Sequence, residues 1–143
     1  MAKLPSEDNG EWGSKPQLQP MTEGVHSVFY VETNEFTQDG KTVLYLRFCD
    51  YEEGSVASVR LVMGEATRQE KNSTRRNFAM IKEAYASEFS TDNPLTDTDQ
   101  IPTTFPIIIE TTYWRDDEGN PRTDKKGVPY VFIKSMARGD TPF

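Results

Sequence analysis

A chain of 143 residues suits one domain with a real core and is hardly long enough for two; its 35% hydrophobic content is low, with the shortfall in residues 1–24, 90–104 and 115–127. One cysteine and one histidine exclude a disulfide framework and a zinc site of the usual kind. A net charge of −7 excludes a protein that coats duplex DNA through positive potential alone.

Residues 1–24 contain Pro5, Pro16, Pro20 and three glycines with little apolar periodicity, which predicts an extended or disordered arm on which Trp12 packs back. The opening MAKLPSEDNG has no apolar signal-peptide core, and no run approaches the roughly 18 apolar residues of a membrane span, so a cytoplasmic protein is expected. From Val25, VHSVFYVE alternates Val25, Phe29 and Val31 against His26, Tyr30 and Glu32, a half-buried strand with His26 on its polar side. Asp39-Gly40 is a turn signal. In TVLYLRFCDY, Leu44, Leu46 and Phe48 share one face, and Tyr45, Arg47, Cys49 and Tyr51 the other, with Cys49 a small sheet residue. Glu52-Glu53-Gly54 turns the chain into SVASVRLVM, where Val56, Ser58, Arg60 and Val62 oppose Ala57, Val59, Leu61 and Met63.

Phe78, Ile81, Tyr85 and Phe89 recur at helical spacing, the stripe of a helix that caps one end of a barrel. It starts either at a Thr67/Glu70 capping box or at Asn72–Thr74, and Pro94 limits its other end. TTFPIIIETTYW and VPYVFIKS are the last two strands, joined by the hairpin loop RDDEGNPRTDKKG, and Pro106 and Pro129 fit edges or strand starts. No internal repeat is evident. The order β-β-β-α-β-β is that of the five-stranded OB-fold barrel, so the expected fold is all-β with one helix: arm 1–24, OB-fold domain 25–136 and a short C-terminal tail 137–143.

Four constellations stand out. Tyr45, Arg47, Tyr51 and Arg60 make an aromatic and cationic face, which is either a base-stacking platform or an ordinary sheet surface with snorkelling side chains. Arg68, Lys71, Arg75 and Arg76, with Lys82 one or two turns on, form a basic cluster, and cations near a helix start oppose its dipole; phosphate contact would explain them, as would pairing with Glu65, Glu70 and Glu83. The last hairpin carries Tyr113, Trp114, Arg115, Arg122, Lys125 and Lys126 around a flexible Gly-Asn-Pro centre, with Asp116, Asp117, Glu118 and Asp124 diluting the charge; it is a closing loop or a solubilising one. The chain ends Asp140-Thr141-Pro142-Phe143, a partner-recruiting tip or a simple end.

Catalysis has little support. His26 has no Ser or Cys motif tied to it, the acidic pairs Asp116-Asp117 and Asp97/Asp99 lack metal-site spacing, and Gly54, Gly64 and Gly119 are isolated, so no enzyme activity, metal or cofactor is expected.

The element order, aromatic second strand, long final hairpin and Pro142-Phe143 end resemble the OB-fold single-stranded DNA-binding proteins of bacteriophages. That resemblance implies protection of single strands in DNA replication, recombination and repair, in the host-cell cytoplasm, as a homo-oligomer or a monomer. It places Tyr45, Arg47, Tyr51 and Arg60 on the binding face and Tyr113, Trp114, Lys125 and Lys126 in its loop wall; the basic cluster itself suggests Arg75 and Arg76 as further phosphate contacts. Asp140, Pro142 and Phe143 would recruit replication or recombination proteins. The rival is an acidic protein-binding OB-like module, a phage adaptor or inhibitor with no nucleic-acid role; an RNA-binding analogue is a third reading. Cations clustered on the aromatic face would favour nucleic acid, and acids interspersed there a protein partner.

Overall fold

Asp39 and Gly40 both lie at positive φ, 50° and 78°, the two-residue turn whose twist matches the strands it joins. A side chain on Gly64 would come 2.5 Å from the Gly40 carbonyl oxygen, so this close approach requires glycine. A computed structural model describes residues 19–86, 89 and 91–138. Its strands are β1 (Gln19–Pro20), β2 (Gly24–Gln38), β3 (Lys41–Asp50), β4 (Ser55–Gly64), β5 (Ile107–Tyr113) and β6 (Val131–Arg138), with helix α1 (Arg68–Ala84) between β4 and β5. Among the described residues no helix is long and apolar enough to cross a membrane.

The strands form one sheet in the order β1-β4-β3-β2-β5-β6, with β1 parallel to β4 and the other neighbours antiparallel. β2 pairs with β5 over Gly24–Val28 and with β3 over Phe29–Gln38, with a register shift between Tyr30 and Glu32. The core gathers Val28, Leu46, Phe48, Val59, Ile107 and Ile109 from the sheet against Ile81 and Ala84 of α1 and Tyr85 just past its end. The helix starts at the first of its two candidate caps: Thr67 Oγ1 accepts from the Glu70 amide, and Glu70 answers on the Thr67 amide. Phe89 lies past the helix end yet still packs on the core.

Three expectations are corrected. The five-stranded OB-fold barrel is not formed; the architecture is mainly β with one helix, a single open six-stranded mixed sheet. The five expected strands and the helix occur in that order, preceded by the unforeseen β1, but among the described residues no ladder joins β4 to β6. Helix α1 takes the edge of β4 instead. Thr74 Oγ1 accepts from the Val62 amide at 2.8 Å and donates to the Val62 carbonyl at 3.2 Å, and Asn77 Nδ2 donates to the Arg60 carbonyl at 2.9 Å. Backbone groups that closure would pair with a strand are thus engaged by helix side chains.

The N-terminal boundary also moves. Residues 19–23 belong to the domain: the Gln19 amide donates to Gly54, the Met21 amide to Val56, and Met21 is 1% exposed in the core. The rest of the expected arm, with Trp12, and the tail residues Asp140, Pro142 and Phe143 lie outside the described residues. Finally, β2 buries the opposite face at its start. His26, Val28 and Tyr30 point inward, while Val25 is 71% exposed and Val31 is also exposed. Apolar residues occur on both parities of this strand, so alternation does not choose between them.

Candidate functional site

Because β4 and β6 do not pair, a cleft of about 480 Å³ opens between β4 and α1 on one side and Trp114 and β6 on the other. Tyr45 and Arg60 stand directly opposite each other in the β3–β4 register, and both line it. The middle of α1 adds Arg76 and Asn77. On the far wall Trp114, 51% exposed, stacks on Phe132 with ring centroids 4.3 Å apart and planes inclined by 34°.

The electrostatics of this cleft follow from one carboxylate. Glu70 is held down to about 2 by the Thr67 amide first and then by Lys41, whose ammonium lies 2.9 Å from Oε1. Lys41 and the Thr67 amide thus both engage this carboxylate. Arg60 touches the same carboxylate only at 3.6 Å, and Arg76 has no ion pair among the described residues. Among the described residues Arg76 is thus without an ion pair beside the aromatic rings, and Arg60 is held only by this longer contact.

Of the residues expected at the site, Tyr45, Arg60, Arg76 and Trp114 come together. Arg47 shares the face but pairs with Glu32. Tyr51 sits in the turn after β3 with its ring 5.8 Å from that of Phe29. Arg75 is exposed and reaches Asn72 only at 3.5 Å. Tyr113 lies at the hairpin base, where its amide donates to Glu23 and its ring lies 5.9 Å from the Arg115 guanidinium. Arg115 is a structural cation: it donates to both Glu23 oxygens at 2.7 and 2.8 Å, and these bonds, led by that from Arg115, hold Glu23 down to about 2. Sequence reasoning missed Phe132 as the support of Trp114. It also missed Phe36, whose exposed ring lies 5.9 Å from Tyr45. Both are aromatic residues in β-patterned runs, a signal read only as strand propensity.

Lys125 and Lys126 occupy a loop laced by its own hydrogen bonds, and it contains a repeat the sequence reading overlooked. Asp-x-x-Gly-x-Pro occurs at Asp116–Pro121 and again eight residues later at Asp124–Pro129. In each copy the Asp Oδ1 accepts two backbone amides, those of Glu118 and Asn120 in the first and of Lys126 and Val128 in the second. The amides of Gly119 and Gly127 each close a turn onto the respective Asp carbonyl at 3.0 Å. Backbone bonds then link Trp114, Arg122 and Tyr130 in a ring. The two tips carry opposite charge, Asp117 and Glu118 on one and Lys125 and Lys126 on the other, so the acids do not dilute the cations evenly.

Two other polar groups are accounted for structurally. Asp97 caps the short 3-10 turn Thr98–Gln100. His26, expected on a polar face, is buried with Asp50 and lies near Glu53, their potential ligand atoms within 4.8 Å of one another. All three already have protein partners: Asp50 accepts the Glu52 and Glu53 amides, and Glu53 accepts from Thr22. They form a hydrogen-bond network rather than an open metal site.

A second recess of about 260 Å³ lies on the other side of α1, walled by Leu44, Leu61, Phe78, Ile81 and Ile101, with Glu35 and Asp97 among its lining. It contains no cation and is unsuited to phosphate. No family model matches this sequence, and no curated protein matches it, so the functional reading rests on the cleft itself.

Proposed function

We propose that the protein binds single-stranded DNA with little sequence preference, protecting strands during replication, recombination and repair. The observation that carries this reading is the gathering of Tyr45, Trp114, Arg60 and Arg76 in one open cleft. Bases stack on Tyr45 and on the open side of Trp114, whose other side rests on Phe132, and the two guanidiniums take phosphates. Stacking reads the π-face common to all bases, which gives tolerance of sequence. A closed barrel is not needed, since the cleft exists because the sheet is open. The acidic total is compatible with this, because the acid nearest the cleft, Glu70, is already engaged.

The test is fluorescence anisotropy of a labelled oligo-dT of about 30 nucleotides at about 50 mM and about 300 mM salt, with duplex of equal length as control. Tight binding to the single strand that weakens with salt, and little binding to duplex, is the expected result. An absence of binding at the lower salt refutes the reading. The acid-lined apolar recess favours the rival in that event: a module that seats an apolar side chain of a basic protein partner.

A further inference from the structure

Both ring nitrogens of His26 face oxygen acceptors. Nδ1 is 2.8 Å from Asp50 Oδ2, and Nε2 is 2.8 Å from the Thr22 carbonyl oxygen. A neutral imidazole has one N–H and one lone pair, so it satisfies only one of these acceptors, whereas an imidazolium donates to both. The charged groups that face it are acids: Asp50 at the end of β3 and Glu53 in the turn that follows. From β5 come Ile109, opposite it in register, and Thr111, whose hydroxyl donates to the same Thr22 carbonyl at 2.6 Å. From residues 19–23 come Thr22 and Glu23, the latter engaged by Arg115. Burial disfavours the charged ring, but the bonds to Asp50 and Thr22 and the charge of Glu53 outweigh it, and the His26 pKa is raised above the ordinary 6.5.

We propose that His26 is a proton-operated latch: charged, it clamps the strap of residues 19–23 onto the sheet, and neutral, it loosens the strap at Thr22. Loss of one proton to solvent leaves Nδ1–H on Asp50 and turns the Nε2 lone pair against the Thr22 carbonyl, which repels it. The strap is otherwise held by the bonds from the Gln19 and Met21 amides to Gly54 and Val56, by the buried Met21 side chain, by Thr111 on the Thr22 carbonyl, by Thr22 on Glu53, and by Glu23 at the hairpin base. Glu23 fixes Arg115 and the Tyr113 amide, the residues on either side of Trp114. Release of Thr22 therefore loosens the support of the tryptophan in the cleft. This last step rests on the nucleic-acid reading; the latch does not.

His26 is the sole histidine, so its imidazole proton resonances report one titration without ambiguity. We expect a midpoint above 6.5 and, across the same midpoint, a loss of hydrogen-exchange protection factors at the Gln19 and Met21 amides. His26→Gln, confirmed folded by circular dichroism, should show no such step. A midpoint below 6.5, or protection that is flat across it in the native protein, overturns the latch. Oligo-dT affinity on either side of the midpoint separates the two readings. A fall that is absent in His26→Gln supports coupling to the cleft, and unchanged affinity overturns the coupling. Absence of dT binding at every pH refutes the proposed function while the titration and exchange still decide the latch.

Discussion

Helix α1 separates two recesses of opposite character. On one side Phe78 and Ile81 close an apolar recess whose polar lining includes Glu35 and Asp97; on the other Arg76 and Asn77 meet Tyr45, Arg60 and Trp114. The difference follows from the helical period: residues three apart stay on one face, while immediate neighbours such as Asn77 and Phe78 diverge. The apolar side is continuous with the core and contributes stability. The cleft side keeps aromatic faces and guanidiniums that nothing else fully engages, and only such unsatisfied groups have capacity left for a ligand.

The largest expected effect breaks the first side alone. Ile81→Ala should lower the free energy of unfolding in urea by about 2–5 kcal/mol, yet leave dT affinity unchanged where the protein is folded, because Ile81 is 1% exposed and does not line the cleft. Trp114→Ala inverts this pattern. A loss of about 1–3 kcal/mol in dT binding, persisting at high salt where charge contributes little, should accompany a smaller stability change from the lost Phe132 stack. If binding is unaffected, the aromatic wall has been misassigned.

Arg60→Gln and Arg76→Gln sharpen the comparison through salt rather than through affinity at one condition. Each should reduce the slope of log affinity against log salt by about 0.7 if it neutralises one phosphate of a single strand. Arg115→Gln should leave the slope unchanged, because its guanidinium is already committed to Glu23.

The smallest effect concerns acid. Glu23 and Glu70 both titrate at about 2 in the fold against an ordinary 4.5. Groups with depressed folded values contribute stability that is fully present above 4.5 and is lost as pH falls towards 2. The urea midpoint should therefore fall across that window, and the gap between the native protein and Glu23→Gln should narrow as it does.

Much of this was legible from short stretches of sequence. Alternation in β3 identifies Leu46 and Phe48 as inward and Tyr45 and Arg47 as outward, and Thr67 with Glu70 marks the helix start. The cleft was legible only in part. Tyr45, Arg60, Arg76 and Trp114 were visible as residue types, whereas Phe132 was not, since nothing local marks it as the ring beneath a tryptophan 18 positions earlier (132 − 114). The Asp-x-x-Gly-x-Pro repeat was present in the letters, but differing charges at the variable positions concealed it.

The sequence by itself determined five of the six strands and the helix with their order, the Asp39-Gly40 turn and the inward face of Leu46 and Phe48 in β3, because each depends on interactions within a few residues or on the two-residue period of a strand. Tertiary structure alone decided that the sheet stays open, that β2 buries His26 rather than Val25, that residues 19–23 join the domain, and which cations remain available. Those outcomes depend on partners distant along the chain. Thr74 and Asn77 must meet the edge of β4, and Glu23 must meet Arg115 across 92 residues, before an edge is covered or a charge is neutralised.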